Sequence, residues 1–278
     1  MNIKVAYSGI EGAFANIAAK KVFPGENLIS YKDFKSAWDS VENGEADYAV
    51  LPIENSYAGE VAQVSDLIFK GNLFINDVYS LKIQQNLLGV KGAKLSDIKK
   101  VLSHPQALEQ SQKFLNSYGI EKIVSENTAR AAKKVSELND KSIGAVASIL
   151  TAELYNLEVI QENINESEDN TTHFAIFSKK EGPLTQKVPT TSILMFTVKN
   201  EVGSLVKVLD VIAEYGFNLC VLRSRPLKNL AWTYYFYVEI DGIFSDPKFN
   251  QMILHLREKC ETVKILGSYK KIKKVQKR

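Results

Sequence analysis

The sequence predicts an α/β protein built in two parts, and three observations carry this. Through about residue 180, short β-rich runs alternate with helical patterns, the rhythm of an α/β layer with largely parallel sheets. Glu181 to Pro189, with Gly182, Pro183 and Pro189, interrupts that rhythm as a linker does. Beyond it the patterns run β-α-β-β-α-β over about 80 residues, a ferredoxin-like unit.

The elements follow in chain order. Ile3–Tyr7 reads as a strand and Phe14–Val22 as a helix. Tyr48–Leu51 is a strand that Pro52 ends, and a helix runs through Val61–Phe69. A strand closes on Val101-Leu102, and a helix spans Pro105 to Leu115. Ile123-Val124, Ala129–Leu138, Ile143–Val146 and Ile149–Tyr155 continue as strand, helix, strand, helix. Glu162–Asn170 is acidic and reads as a surface loop before a strand at Phe174–Phe177. After the linker come strand Thr191–Val198 and helix Ser204–Tyr215, which Gly216 stops. Strands Leu219–Arg225 and Trp232–Ile240 pair around Pro226, followed by helix Phe249–Glu258 and strand Val263–Leu266.

Composition narrows the function classes. No apolar run approaches the roughly 18–20 residues a membrane helix needs. Met1-Asn2-Ile3-Lys4-Val5 enters an alternating pattern at once, leaving no room for a signal-peptide layout. A cytoplasmic location is the expectation. Cys220 and Cys260 sit in apolar patterns without metal spacing, so they read as reduced core thiols rather than a disulfide or zinc framework. The net charge of +3 belongs to the tail. Lys270, Lys271, Lys273, Lys274, Lys277 and Arg278 carry six charges, and taking these from +3 leaves −3 for the body. Such a tail reads as a solvated terminus, and no zinc-finger spacing or basic helix with interleaved aromatics points to nucleic acid.

Four strand-to-helix junctions share one design: Ser8 to Ala13, Pro52 to Ser56, Ser103 to Ala107, and Glu126 to Ala129. In parallel sheets, ligands collect at the carboxyl ends of strands, where helix N-termini favour anions. Ser56, Ser103 and Thr128 are suitable helix caps. Gly9 and Gly12 do not make the G-x-G-x-x-G of a dinucleotide site, and His104, His173 and His255 show no metal spacing. No serine sits in a G-x-S-x-G elbow. Asp169 to Phe174 adds hydroxyls and an imidazole between an acidic loop and an apolar strand. The residues alone thus describe an enzyme or binder for a small polycarboxylate, without cofactor or metal, joined to a ferredoxin-like domain.

The same segments resemble the prephenate dehydratase family, in order and across nearly the whole chain. Pro52-Ile53-Glu54-Asn55-Ser56 with Gly59 and Val61 matches P-I-E-N-S-x-x-G-x-V, and Ser103 to Leu108 matches S-H-P-Q-A-L. Thr128 to Ala132 matches T-A-x-A-A, while Ala145 to Ser148 and Ala152 to Tyr155 match a late helix. Asn170-Thr171-Thr172-His173-Phe174 stands where the family has N-x-T-R-F. Gly203-Ser204-Leu205 and Arg223-Ser224-Arg225-Pro226 stand for the G-A-L and E-S-R-P of its regulatory ACT domain.

The resemblance implies a monofunctional enzyme, with no chorismate mutase segment before Met1, that turns prephenate into phenylpyruvate under inhibition by phenylalanine. It implies a two-lobed catalytic domain like a periplasmic binding protein over 1–183, with lobe one at about 1–77 and 160–180 and lobe two at about 78–159. An ACT domain would fill 190–270, ahead of a basic tail at 271–278, and the chain would self-associate as a dimer or tetramer. Thr172 is the implied proton donor. Asn55, Ser56, Ser103, Gln106, Thr128, His173 and Phe174 are the implied substrate contacts. Asn200, Val202, Gly203, Ser204, Leu205, Asn218, Leu219 and Arg223 to Pro226 are the implied phenylalanine contacts, with Val202, Leu205 and Leu219 receiving the ring. Two departures stand out: His173 replaces a permanent cation, and Arg223 reverses a regulatory charge. An arogenate dehydratase and a catalytically weak phenylalanine-binding regulator are the alternatives.

Overall fold

The computed structural model describes residues 2–167, 169–182, 184, 188–227 and 233–270. Pro183, Trp232 and the basic tail at 271–278, all used above, lie outside the described residues.

The chain opens with β1 (Lys4–Ser8), α1 (Phe14–Val22), β2 (Asn27–Tyr31), α2 (Phe34–Glu42), β3 (Tyr48–Asn55), β4 (Gly59–Glu60), α3 (Ala62–Lys70) and β5 (Phe74–Lys82). It continues with β6 (Asn86–Gly89), β7 (Lys100–Ser103), α4 (Pro105–Gln110), α5 (Gln112–Ser117), β8 (Glu121–Val124), α6 (Thr128–Leu138), β9 (Ile143–Ala147), α7 (Ile149–Leu154), β10 (Glu158–Gln161) and β11 (Thr171–Ser178). The last elements are β12 (Thr191–Thr197), α8 (Ser204–Glu214), β13 (Asn218–Pro226), β14 (Tyr234–Asp241), α9 (Pro247–Lys259) and β15 (Thr262–Tyr269).

Three sheets result. The first has strand order β2-β1-β3-β11-β5 with β4 on β3, the second β10-β6-β9-β7-β8, and the third β13-β14-β12-β15. The fold is mixed α/β. The second sheet is less parallel than the rhythm predicts: β7 runs parallel to β8 and β9, but β6 pairs antiparallel with both β9 and β10.

The chain divides into two compact units, one taking the segments up to Leu67 and Tyr79–Phe174, the other Ile68–Val78 and everything from Ala175. In the first unit, strand alternation gives the second sheet two apolar faces. Leu87 and Val146 join Val101 and Leu115 on one side, while Leu88, Ala145 and Ala147 join Val135 on the other. Ala129, Ala131 and Ala132 are fully buried on α6, and their small size lets the helix lie close to the strands. Asp33 starts α2 through a capping box with Ser36, whose backbone N–H it accepts at 2.7 Å.

Two expectations are corrected here. Pro52 does not end its strand. Pairing with β1 stops at Val50, so Pro52 interrupts no bond of that ladder, and β3 runs on to Asn55 before turning into β4. The helix expected over 105–115 is two short ones divided at Ser111, which has φ −110° and ψ 10°.

In the second unit, β12-α8-β13-β14-α9-β15 buries Leu194, Phe196, Val238 and Ile240 against Val208, Ile212, Phe249 and Met252. Gly203 (φ 82°) and Gly216 (φ 73°) flank α8, taking the left-handed conformation a side chain disfavours. The segment Ile68–Val78 meets this sheet. Phe69 stacks on Tyr235 with ring centroids 4.5 Å apart. Lys264 Nζ donates to the carbonyls of Ile68 (2.6 Å), Phe69 (3.1 Å) and Gly71, caps for the end of α3. Glu239, 6% exposed, accepts hydrogen bonds from the Tyr237 and Tyr269 hydroxyls at 3.1 and 3.0 Å. Cys220 and Cys260 form no disulfide and are half-buried, with Cys260 packed against this core. Burial pushes the Cys260 thiol up to about 11.

Candidate active site

The site begins at the end of β3. Asn55 Oδ1 accepts the backbone N–H groups of Tyr57 (3.0 Å) and Ala58 (2.9 Å), fixing the turn into β4. It also accepts Gln106 Nε2 from α4 at 3.1 Å. With three donors on its oxygen, the amide has one orientation, and Nδ2 must face the other way. There it donates to Asn170 Oδ1 at 2.8 Å and to Thr172 Oγ1 at 2.9 Å. Asn170 Nδ2 in turn donates to Gln110 Oε1 at 2.8 Å, and the Asn170 carbonyl accepts Ile83 N–H at 2.7 Å. Asn55, Thr172, Asn170 and Gln110 are all buried, so these bonds hold one geometry.

The chemical consequence lies at Thr172. Its oxygen accepts from Asn55, and among the described residues no group accepts its own proton. The hydroxyl is therefore oriented as a donor to whatever binds beside it. Every side chain in the cluster is neutral, and the described residues hold no group of three or more His, Cys, Asp or Glu side chains that could bind a metal.

The sequence-derived contacts divide. Asn55, Gln106 and Thr172 come together. Asn170 and Gln110 complete the cluster and were not singled out. Asn170 opens the quoted N-x-T segment, and Gln110 lies one helical turn from Gln106, the signals that pointed to them.

Other expectations need correction. Ser56 caps no helix; its hydroxyl donates to the Asp169 carbonyl at 2.8 Å and accepts Thr171 N–H at 2.9 Å. Ser103 is fully buried and donates to the Val146 carbonyl at 2.6 Å, tying β7 to β9. The cap of α4 is His104, whose Nδ1 accepts Gln106 N–H at 3.3 Å. His104 keeps exposed surface, yet the protein around it displaces enough water to lower its pKa below the usual 6.5. Thr128 is the first residue of α6, and Asn127 caps that helix by accepting Arg130 N–H at 2.8 Å. Phe174 is a core residue, 2% exposed. His173 follows Thr172 in β11, so alternation turns it to the opposite face, where Nδ1 bonds Ser80 Oγ at 2.8 Å. It does not join the Asn55 cluster.

The second set sits around α8 and β13. Val202 is fully exposed, Asn200, Ser224 and Pro226 are exposed, and Ser204 begins α8 after Gly203. Leu205 and Leu219 are half-buried and pack against the core of the second unit. Asn218 donates to Asp241 Oδ2 at 3.3 Å. Arg223 lies over the Tyr237 ring, 5.5 Å from its centroid, and Arg225 is half-buried on the same edge strand.

This fold and motif order match known proteins closely. The model of the family described as prephenate dehydratase matches residues 5–182. The Arabidopsis thaliana protein named arogenate dehydratase/prephenate dehydratase 1, chloroplastic, is 35% identical, over 96% of this chain and 72% of its own. A Komagataeibacter europaeus protein named bifunctional N-acyl-homoserine lactone acylase/prephenate dehydratase is 32% identical over 95% of each chain. The crystal structure of prephenate dehydratase in complex with L-Phe from Arthrobacter aurescens is 26% identical, with TM-score 0.88 over 97% of this chain and 90% of that one. The chain belongs to the prephenate dehydratase family and is an enzyme of the dehydratase, or lyase, kind. No helix among the described residues is long and apolar enough to cross a membrane.

Proposed function

We propose that the chain converts prephenate to phenylpyruvate, CO2 and water, with Thr172 donating to the departing hydroxyl. The observation that carries this is the Asn55–Thr172 bond, which occupies the threonine oxygen and frees its proton for donation. The bond from the ring carbon to its carboxylate breaks and CO2 leaves. That electron pair enters the ring as the C–O bond breaks, and the departing oxygen takes a proton to become water. Aromatisation drives the reaction, so no redox cofactor is required. A threonine is a weak acid, and fixed geometry with exclusion of water must supply much of the rate. Gln106, Asn170 and Gln110 hold Asn55 and Thr172 in place.

A second substrate, arogenate, has specific support, because the Arabidopsis relative carries both names. It differs by an amino group in place of the side-chain ketone, away from the bonds that break. The C-terminal unit, as an ACT domain over 190–270, would bind phenylalanine and restrain a two-lobed catalytic domain over 1–183. The phenylalanine complex of the Arthrobacter relative supports that effector. Pairing of such domains would make the chain a dimer or tetramer.

The test is product formation from each compound at equal concentration, with and without phenylalanine. Phenylpyruvate from prephenate, reduced by phenylalanine, is the expected result. Phenylalanine formed from arogenate alone would move the substrate assignment to arogenate, and no product from either would refute the proposal.

A further inference from the structure

The Asn55 cluster is assembled from two sheets of the first unit. Asn55 ends β3 and Thr172 lies on β11, both in the first sheet, whereas Gln106 and Gln110 belong to α4, which follows β7 of the second. β1 runs parallel to β3, so the loop after β1 and Asn55 share one carboxyl edge. β7 runs parallel to β8 and β9, so α4, α6 and α7, which follow these strands, start from one carboxyl edge of the second sheet. The Gln106–Asn55 and Gln110–Asn170 bonds join the two edges at one place.

A second contact joins them at Gly12. Its loop is pinned to the first sheet. Gly9 N–H donates to the Tyr31 carbonyl at 2.8 Å, and Gly12 N–H donates to Oδ1 of Asn16, a buried residue of α1, at 3.1 Å. From the second sheet come α6 and α7. A Cβ at Gly12 would stand 2.8 Å from Thr151 Cγ2, 3.2 Å from Leu154 Cδ2 and 3.8 Å from Ala129 Cβ. The first lies well inside ordinary carbon contact, about 3.5 Å or more. The Thr151 methyl cannot swing away, because the residue is fully buried and its Oγ1 donates to the Ser148 carbonyl. Beside this contact the Tyr155 hydroxyl donates to the Glu11 carbonyl at 2.8 Å.

We infer that Gly12 is a positioning residue: its missing side chain lets the two carboxyl edges close, and that closure sets Gln106 and Gln110 against Asn55 and Asn170. The inference deepens the proposed function and rests on it. With the loop pinned on one side and Thr151 fixed on the other, a methyl at position 12 is relieved by parting the edges. The Gln106–Asn55 bond, already 3.1 Å long, weakens first. Asn55 then loses one of the three donors that fix its amide, and Thr172 loses its fixed orientation.

Gly12→Ala, alone and combined with Thr151→Ser, tests this. Serine keeps the bond to Ser148 and removes the methyl that the alanine would strike. Gly12→Ala should lower kcat for prephenate about tenfold or more and change KM less than about threefold, as misplacement of a catalytic group does. Thr151→Ser alone should keep kcat within about twofold, and the double variant should regain about threefold or more of the lost rate. Gly12 has φ +87°, where alanine is strained, but that cost would be untouched by Thr151→Ser. Hydrogen exchange at the Tyr57 and Ala58 amides, both held by Asn55 Oδ1, reads closure without turnover. It should quicken in Gly12→Ala and slow again in the double variant. Unchanged kcat and exchange in Gly12→Ala, or losses that Thr151→Ser does not recover, would overturn the inference. Exchange that is lost and recovered in this way without any turnover of prephenate would leave the role of Gly12 in closure standing and remove the proposed activity.

Discussion

Asn55 and Thr172, 117 residues apart in the chain, are joined by a 2.9 Å hydrogen bond in which the amide donates and the hydroxyl accepts. The polarity of this bond matters more than its length. Reversed, it would hold the threonine proton against Asn55 and leave no donor for a leaving group.

Asn55→Asp reverses it. A carboxylate still accepts the Tyr57 and Ala58 N–H groups, so the turn is kept, but it cannot donate to Thr172. We expect kcat to fall about 100-fold, the scale of losing one preorganised donor, and the thermal midpoint to fall as well, because the buried Asn170 Oδ1 also loses its donor. Steady-state kinetics beside a circular dichroism melt checks this. Unchanged kcat would show that the orientation of Thr172 is not used.

His104 ties the site to pH. Its Nδ1 must be unprotonated to accept Gln106 N–H, and Gln106 holds Asn55. The folded pKa lies below the ordinary 6.5 because burial disfavours the charged ring. The unfolded chain then binds the proton more readily, so the stabilising contribution is full above about 6.5 and fades as pH falls toward the lower folded value. His104→Asn keeps a capping side chain without titrating. Its stability and kcat/KM should decline less than those of the unmodified protein between about pH 6.5 and 5. Parallel urea unfolding and rate profiles decide, and superimposable curves would remove His104 from the acid limb.

The proposed regulation by phenylalanine can be tested at Arg223. From the edge strand β13 its guanidinium stands over Tyr237, near the segments proposed to receive phenylalanine, whose ammonium group it would repel. Arg223→Glu should tighten phenylalanine binding about threefold or more and lower the concentration that inhibits. Calorimetry on both proteins reads this directly, and equal affinities would remove Arg223 from the effector site.

Much of this was legible in the sequence, for local reasons. Helix α1 coincides with its pattern because its alanine-rich run, buried from Ala15 through Ala19, favours a helix, and two glycines frame α8. Pro52 misled because a proline is compatible with a strand wherever its neighbour's ladder has ended, and where β1 ends is not a local property. β6 is four fully buried residues without alternation, and β10 pairs with it from about 70 positions away, so neither announces itself. At the site, the motifs supplied Asn55, Gln106 and Thr172. They did not distinguish Ser103 from His104 as the helix cap, because that depends on Val146 lying beside Ser103. They did not give the facing of His173, which strand alternation and Ser80 settle.

The most direct test of the account is phenylpyruvate formation from prephenate by the unmodified protein and by Thr172→Val. Valine keeps the shape of the side chain and removes the oxygen that Asn55 orients. The account predicts ready turnover by the unmodified protein, and in the variant a fall in kcat and kcat/KM together of about 10²-fold or more, as for a donor acting in the transition state. A variant that turns over prephenate at the unmodified rate would contradict it.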